Sequence, residues 1–191
     1  METTKITGSI YTGSIFKGID KIVSNDDLRP TMNHAFIDQN NIIATDAHCL
    51  VKINLSFFGL DQESINHLNG KCIDKETLQK LGSMKASQQF TINEQGFCLL
   101  NKNFKISVIY PLGKMEEIGK YPNYDAVIPE EIKEQSYTSL NAKLFLYIDN
   151  VFNNAYHTNG RLKMNFHGVN KAVTLTSECG KFKGLLMPRM L

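Results

Sequence analysis

The sequence predicts an α+β fold: antiparallel sheets with three helices laid on one face. Three observations predict it. Short stretches of alternating apolar and polar residues outnumber stretches with helical spacing. Turn signals separate successive strands, so neighbours in sequence become neighbours in space. One pattern, a short strand, a short amphipathic helix and then strands in succession, recurs three times along the 191 residues. A helix stripe of four or five apolar residues cannot close a core alone, so the units must pair.

The first unit opens on Lys5–Tyr11, where apolar and polar residues alternate. A helix is expected from Ser14 to Ser24, with Ile15, Phe16, Ile19, Ile22 and Val23 on one stripe. Strands follow at His34–Asp38 and Ile42–Ile53, parted by Asn40-Asn41, and Phe57–Gly70 reads as a loose connection. The second unit opens on Lys71-Cys72-Ile73. Asp74 can cap a helix from Lys75 to Met84, because its carboxylate accepts from the free N–H groups of the first turn. Strands are expected at Gln89–Asn93, Phe97–Asn101 and Phe104–Tyr110. The third unit opens with a strand at Lys143–Ile148. Asp149 then caps a helix burying Val151, Phe152, Ala155 and Tyr156, which Asn159-Gly160 ends. Strands at Arg161–Phe166, Ala172–Ser177 and Phe182–Met187 complete it. The domain division is then 1–129 for two units, 130–142 for a polar linker and 143–191 for the single third unit.

Composition narrows the function classes. At 42% hydrophobic and 21% charged the chain can bury a core. Its net charge of +2, from 21 basic and 19 acidic residues, is too even to mark a nucleic-acid binder. Four scattered cysteines with no Cys-x-x-Cys pair fit free thiols in a reducing cytoplasm. No apolar run approaches the roughly 18 residues of a membrane span, and no secretory signal is expected at the N-terminus. His48 beside Thr45 and Asp46 has no nucleophile at a defined spacing; it reads as a pocket wall or a hydrogen-bonded core group. The other histidines have no metal-ligand spacing, and no phosphate loop or nucleophile elbow occurs. No catalytic residue, metal or cofactor is therefore expected, and the chain is not expected to be an enzyme.

Three segments stand apart. The tail Met187-Pro188-Arg189-Met190-Leu191 is too apolar to lie free in water, and chain ends fray unless docked. The other two are Ala44-Thr45-Asp46-Ala47-His48-Cys49-Leu50 and Tyr121-Pro122-Asn123-Tyr124-Asp125-Ala126-Val127-Ile128-Pro129. In this order the three resemble the bacterial β sliding clamp family, the processivity subunit of the replicative DNA polymerase. In that family each domain holds two strand–helix–strands units, and three domains make a subunit. Met1 to Pro129 is similar to the middle clamp domain and Leu140 to Leu191 to the second half of the last, so the chain resembles one and a half clamp domains.

The resemblance implies a hydrophobic groove for short peptides at the junction of the middle and last domains. It would be lined by Thr45, Ala47, His48 and Leu50, by Pro122 and Val127, and by Leu186, Met187, Pro188, Met190 and Leu191. The implied partners are a DNA polymerase or other proteins carrying clamp-binding motifs. The resemblance also implies a homo-oligomeric ring on duplex DNA, held through phosphates without sequence specificity. The candidate DNA contacts on the helices are Lys17, Lys21, Lys75, Lys80 and Lys85. The sequence departs from the family at Ala47 and Cys49, where Gly and Arg are usual, at Ala126, where an Arg is usual, and in the exchanged order of Arg189 and Met190. A second reading keeps the groove but not the ring: an adaptor or decoy that binds clamp-interaction peptides without DNA.

Overall fold

The computed structural model describes residues 10–12, 16–85, 87–129, 138–156 and 161–188. The strands are β1 (Tyr11–Thr12), β2 (His34–Asp38), β3 (Asn41–Thr45), β4 (Cys49–Asn54), β5 (Lys71–Asp74), β6 (Gln89–Asn93), β7 (Gly96–Leu100), β8 (Ile106–Tyr110), β9 (Gly113–Lys114), β10 (Leu162–Asn165), β11 (Val173–Ser177) and β12 (Phe182–Leu186). The α-helices are α1 (Gln62–Leu68), α2 (Lys75–Gly82), α3 (Met115–Ile118) and α4 (Ala142–Tyr156). A small sheet runs β1-β6-β7-β8. A large one runs β10-β11-β12-β4-β3-β2-β5-β9, with every pairing antiparallel. The α+β class expected from the sequence is the one observed.

Alternation along the large sheet sorts its side chains into two layers. Ala35 and Ile37, Ile42 and Ala44, Val51 and Ile53, and Phe182 and Leu186 face inward. There they meet Phe90, Ile92 and Phe97 of the small sheet and Ile148, Val151 and Phe152 of α4 in one main core. Ile43, Leu50, Cys72 and Leu185 face outward and form a smaller second core under Met115, Tyr121 and Tyr124. Two glycines let the inner elements approach. A Cβ at Gly184 would stand 2.7 Å from Ile148 Cγ2, so only glycine lets α4 lie on β12; one at Gly82 would meet the Lys17 Cα at 3.2 Å.

Four expectations are corrected. Among the described residues the helix expected at Ser14–Ser24 is only a 3₁₀ turn, Ile19–Lys21, entered through Gly18 at φ 90°, and Ser14 and Ile15 lie outside those residues. Phe16, Ile19, Ile22 and Val23 are nevertheless buried. The strand expected at Ile42–Ile53 is two strands broken at Asp46–His48. The loose connection at Phe57–Gly70 contains α1, capped by Asp61, whose Oδ1 accepts from the Ser64 N–H at 2.8 Å. The strand expected at Lys143–Ile148 is the first half of α4. Leu144, Phe145, Ile148, Val151, Phe152 and Ala155 form one helical stripe, so packing against the sheet overrides the strand preference of the aromatic run. Asp149 therefore sits inside this helix, where its Oδ2 accepts from the Asn153 amide at 3.0 Å. The Asp74 cap on α2 is present, with Oδ1 accepting from the Thr77 N–H at 2.8 Å. Residues 1–9, most of the segment 130–142 and the Asn159-Gly160 helix end lie outside the described residues. The third unit continues the first unit's sheet, because β12 pairs with β4 over five residue pairs from Phe182↔Ile53 to Leu186↔Cys49.

Candidate peptide-binding groove

The break between β3 and β4 is built by its own side chains. Asp46 Oδ1 accepts from the N–H groups of His48 and Cys49, both at 2.8 Å. Thr45 Oγ1 donates to the Cys49 carbonyl at 2.7 Å and accepts from the Ala47 N–H at 3.1 Å. This is the short-range bonding that Asp and Thr offer a turn. It places Ala47 at φ 73°, in the left-handed region.

The carboxyl-terminal strand docks beside this turn. Leu185 lies opposite Leu50, and the Met187 N–H donates to the His48 carbonyl at 3.0 Å. The segment 119–129 crosses the outer face of the sheet and is clipped to it. Tyr124 Oη donates to Asp38 Oδ2 at 2.7 Å, and Lys52 Nζ stands 2.7 Å from Asp125 Oδ1 and 5.0 Å from the centre of the Tyr124 ring. Burial first, and then the Asp38 contact, raises the Tyr124 hydroxyl above the usual tyrosine range. Tyr121 is also buried and likewise raised, mainly by desolvation.

Between these pieces lies a groove of about 510 Å³. Leu50, Leu185 and Ala172 floor it, while Thr45, Ala47 and Cys49 flank it on one side and Pro122, Tyr124, Ala126 and Val127 on another. Met187 lies on its rim. Val127 and Met187 are 54% and 40% exposed, whereas Leu50 and Leu185 are 2% and 3% exposed. The floor is thus already dry and the rim is apolar and open, which suits inserted Leu or Phe side chains at about 1.5–3 kcal/mol each. The volume falls in the range of small-ligand sites, roughly 300–1,000 Å³.

Of the groove residues expected from sequence, Thr45, Ala47, Leu50, Pro122, Val127 and Met187 come together here. Leu186 does not: it is 0% exposed and points into the main core, because strand alternation turns it away from Leu185. His48 is exposed and contributes its carbonyl rather than a wall. Pro188 forms an isolated bridge with Leu140 beyond the groove. Met190 and Leu191 lie outside the described residues. Sequence reasoning missed Leu185, Tyr124, Ala172 and Lys171. Leu185 is told from Leu186 only by the pairing register with β4, and Ala172 and Lys171 carry no local signal. Cys49 touches the groove's edge while its side chain belongs to the main core, where burial and then the Asp46 carboxylate raise its thiol well above the usual range and keep it neutral.

The five candidate DNA contacts gather near the packing of the 3₁₀ turn against α2. The Lys17 Cα lies beside Gly82, and Lys75 Nζ donates to the Ser24 carbonyl at 3.5 Å. Lys21 is 3.0 Å from Asp20 Oδ2 and Lys80 is 2.5 Å from Glu76 Oε1. Lys17 and Lys85 are exposed. Among the described residues no group of three or more His, Cys, Asp or Glu could hold a metal ion, and no helix is long and apolar enough to cross a membrane.

The fold is that of the bacterial DNA polymerase sliding clamps. The whole chain aligns with the beta clamp of Helicobacter pylori bound to a DNA ligase peptide, with a TM-score of 0.61 and 13% identity, covering 68% of that chain. It aligns equally along its length with the DNA polymerase sliding clamp of Bacillus subtilis (TM-score 0.60, 14% identity, 66% of that chain) and with the DNA polymerase beta subunit of Streptococcus pyogenes (0.60, 13%, 68%). The protein has the architecture of these clamps in about two thirds of their length. No family model matches the sequence, and no curated protein matches it.

Proposed function

We propose that this protein is a shortened, sliding-clamp-like processivity factor for DNA replication. It holds a DNA polymerase, or another protein with a clamp-binding motif, through the groove between Thr45–Leu50, Pro122–Val127 and Leu185–Met187. One observation carries this reading: three segments far apart in sequence converge on a single apolar groove of about 510 Å³. The likeness to a clamp bound to a DNA ligase peptide supports it. The role is that of a non-enzymatic tether in the cytoplasm. The test is fluorescence polarisation with a labelled Gln-Leu-x-Leu-Phe peptide. Saturable binding in roughly the micromolar range is expected, at least tenfold weaker for Leu50→Ala. No binding at about 1 mM peptide would remove the groove reading.

The partner on the other side is duplex DNA, contacted without sequence specificity from Lys17, Lys75 and Lys85 in a homo-oligomer. Four chains of three units each would supply the twelve units of the family ring. A second reading, an adaptor or decoy that binds clamp-interaction peptides without encircling DNA, draws on the neutralised charges: Lys21 and Lys80 face Asp20 and Glu76. Light scattering and a DNA mobility shift at low salt separate the two. An oligomer that binds duplex weakly and loses it with salt fits the first; a monomer blind to DNA fits the second.

A further inference from the structure

A second cleft, of about 800 Å³, opens on the same outer face of the large sheet. Phe36 and Tyr121 form its floor, their rings tilted by 36° with centroids 5.1 Å apart. Its rim carries Lys71, Lys114 and Lys120 against Glu116, with Glu117 close by on Lys114. Among the described residues neither Lys71 nor Lys120 has an ion-pair partner, and Lys114 has only Glu117 at 3.6 Å. Lys71 and Lys114 are also direct cross-strand partners in the β5–β9 pairing. Like charges placed opposite each other in an antiparallel pair repel and weaken the sheet. This arrangement works against the free protein and in favour of an anion.

The cleft adjoins the groove along the segment that lines both, at Tyr121 and Pro122. Tyr121 floors the one, Pro122 walls the other, and Tyr121, Tyr124 and Leu50 belong to a single apolar cluster. An extended peptide advances roughly 3.3 Å per residue, so a few residues beyond an apolar anchor reach from groove to cleft. We propose that the Lys71–Lys114–Lys120 cleft receives an acidic segment adjoining the apolar anchor of the same partner peptide. The occupant is a run of Asp and Glu, and the cleft adds selectivity and association rate to a site whose affinity resides in the groove. This inference rests on the groove reading of the preceding subsection.

The experiment uses the full chain and three labelled peptides that share one Leu/Phe anchor: one with four acidic residues before it, one with four after it, and one with a Gly-Ser flank. Titrations run at low salt and at about 0.5 M NaCl, where screening shortens below a residue pair's reach. One acidic peptide is expected to bind about tenfold tighter than the Gly-Ser peptide at low salt, and to lose that advantage in salt. Lys71→Gln/Lys114→Gln/Lys120→Gln should remove the advantage while leaving the Gly-Ser peptide's affinity unchanged. The triple variant's retained affinity for the Gly-Ser peptide and a urea midpoint close to the parent's exclude loss of binding through unfolding. Equal affinities for all three peptides would overturn the proposal and leave the groove standing. Failure of all three to bind would remove the groove and the acidic cleft with it. A labelled oligonucleotide whose binding depends on these three lysines, with no effect of peptide flank, would assign the cleft to nucleic acid instead and overturn the proposal.

Discussion

The two faces of the eight-stranded sheet solve different problems with the same strands. The inner face is closed. Ile37, Ile42, Ile53, Leu175, Phe182 and Leu186 are all 0–1% exposed beneath the small sheet and α4. The outer face is half closed, with Ile43, Leu50 and Leu185 covered by the crossing segment while Val127 and Met187 are left in solvent. Stability therefore resides mostly on the inner face, and the proposed binding groove lies on the outer face. Adjacent residues of one strand point to opposite faces.

The largest effect tests whether the inner face needs the third unit. Truncation after Pro129 removes β12 from β4 and strips Ile148, Val151, Phe152, Leu175, Phe182 and Leu186 from the main core. Division by sequence would have 1–129 stand as a domain. The shared core instead predicts a fragment without a cooperative urea transition. A sharp transition close to that of the full chain would show the two faces to be less dependent on the third unit than the packing implies.

Next comes the neighbouring pair on β12. Leu186→Ala should cost about 2–5 kcal/mol in urea denaturation, as a fully buried leucine truncated to alanine does. The folded fraction should bind the anchor peptide as before. Leu185→Ala empties part of a smaller, more open cluster, so its cost should be about half as large, while peptide affinity falls at least tenfold. Equal losses of affinity in the two variants would erase the distinction between the faces.

Alkaline pH offers a test that acts on buried thiols and tyrosines, with Cys72, Tyr121 and Tyr124 on the outer face. Cys72 faces the second core, and burial first, then the nearby Asp74 and Glu117 carboxylates, raises its thiol from the ordinary 9.0 to about 11. Tyr121 and Tyr124 are raised too. Each of these acids is held neutral in the folded state and ionises more readily when unfolded. The unfolded chain thus loses protons first. The stabilisation is complete below pH 9, declines from pH 9 to 11 for Cys72, and declines above about pH 10 for the tyrosines. A fall on the order of 1–2 kcal/mol is expected for Cys72 across that window, and Cys72→Ser should lessen the decline, the remainder coming from Cys49 and Cys98, whose thiols burial also raises. A profile level from pH 8 to 11 would place these groups in water.

Much of this division was legible before any coordinates. Alternation along Gln89–Asn93, Val173–Ser177 and Phe182–Leu186 marks strands wherever one face is dry. The Asp74 cap announces α2 by chemistry alone. Alternation could not assign Leu185 and Leu186, because both are apolar and the pairing register with β4 decides which way each points. Lys143–Ile148 was misread because its aromatic and aliphatic run suits a strand locally, and only the sheet beneath selects a helix. The turn at Asp46–His48 was hidden inside an apolar stretch, since its bonds come from side chains that suit either a turn or an exposed strand face. The groove's three segments were visible through a resemblance. Ala172, Tyr124 and the Lys71–Lys114 opposition depend on which strands become neighbours, and a linear pattern does not carry that.

The smallest effect lies at that turn, where the outer face begins. Ala47 holds φ 73°, a conformation that costs an L-residue about 1–2 kcal/mol and a glycine nothing. Glycine returns part of that gain through the freedom it has when unfolded, about 0.5–1 kcal/mol. Ala47→Gly should therefore stabilise the protein by about 0.5 kcal/mol, read as a small rise in the urea midpoint at an unchanged slope. The hydrogen bonds from Thr45 and Asp46 that shape the turn do not use the alanine side chain, so they survive the change. The lost methyl belongs to the groove wall, and peptide affinity should fall by less than about threefold. A loss of stability instead would mean that the Ala47 methyl packs against the groove strongly enough to outweigh the strain beneath it. The outer face would then contribute to folding at the place where it looks most open.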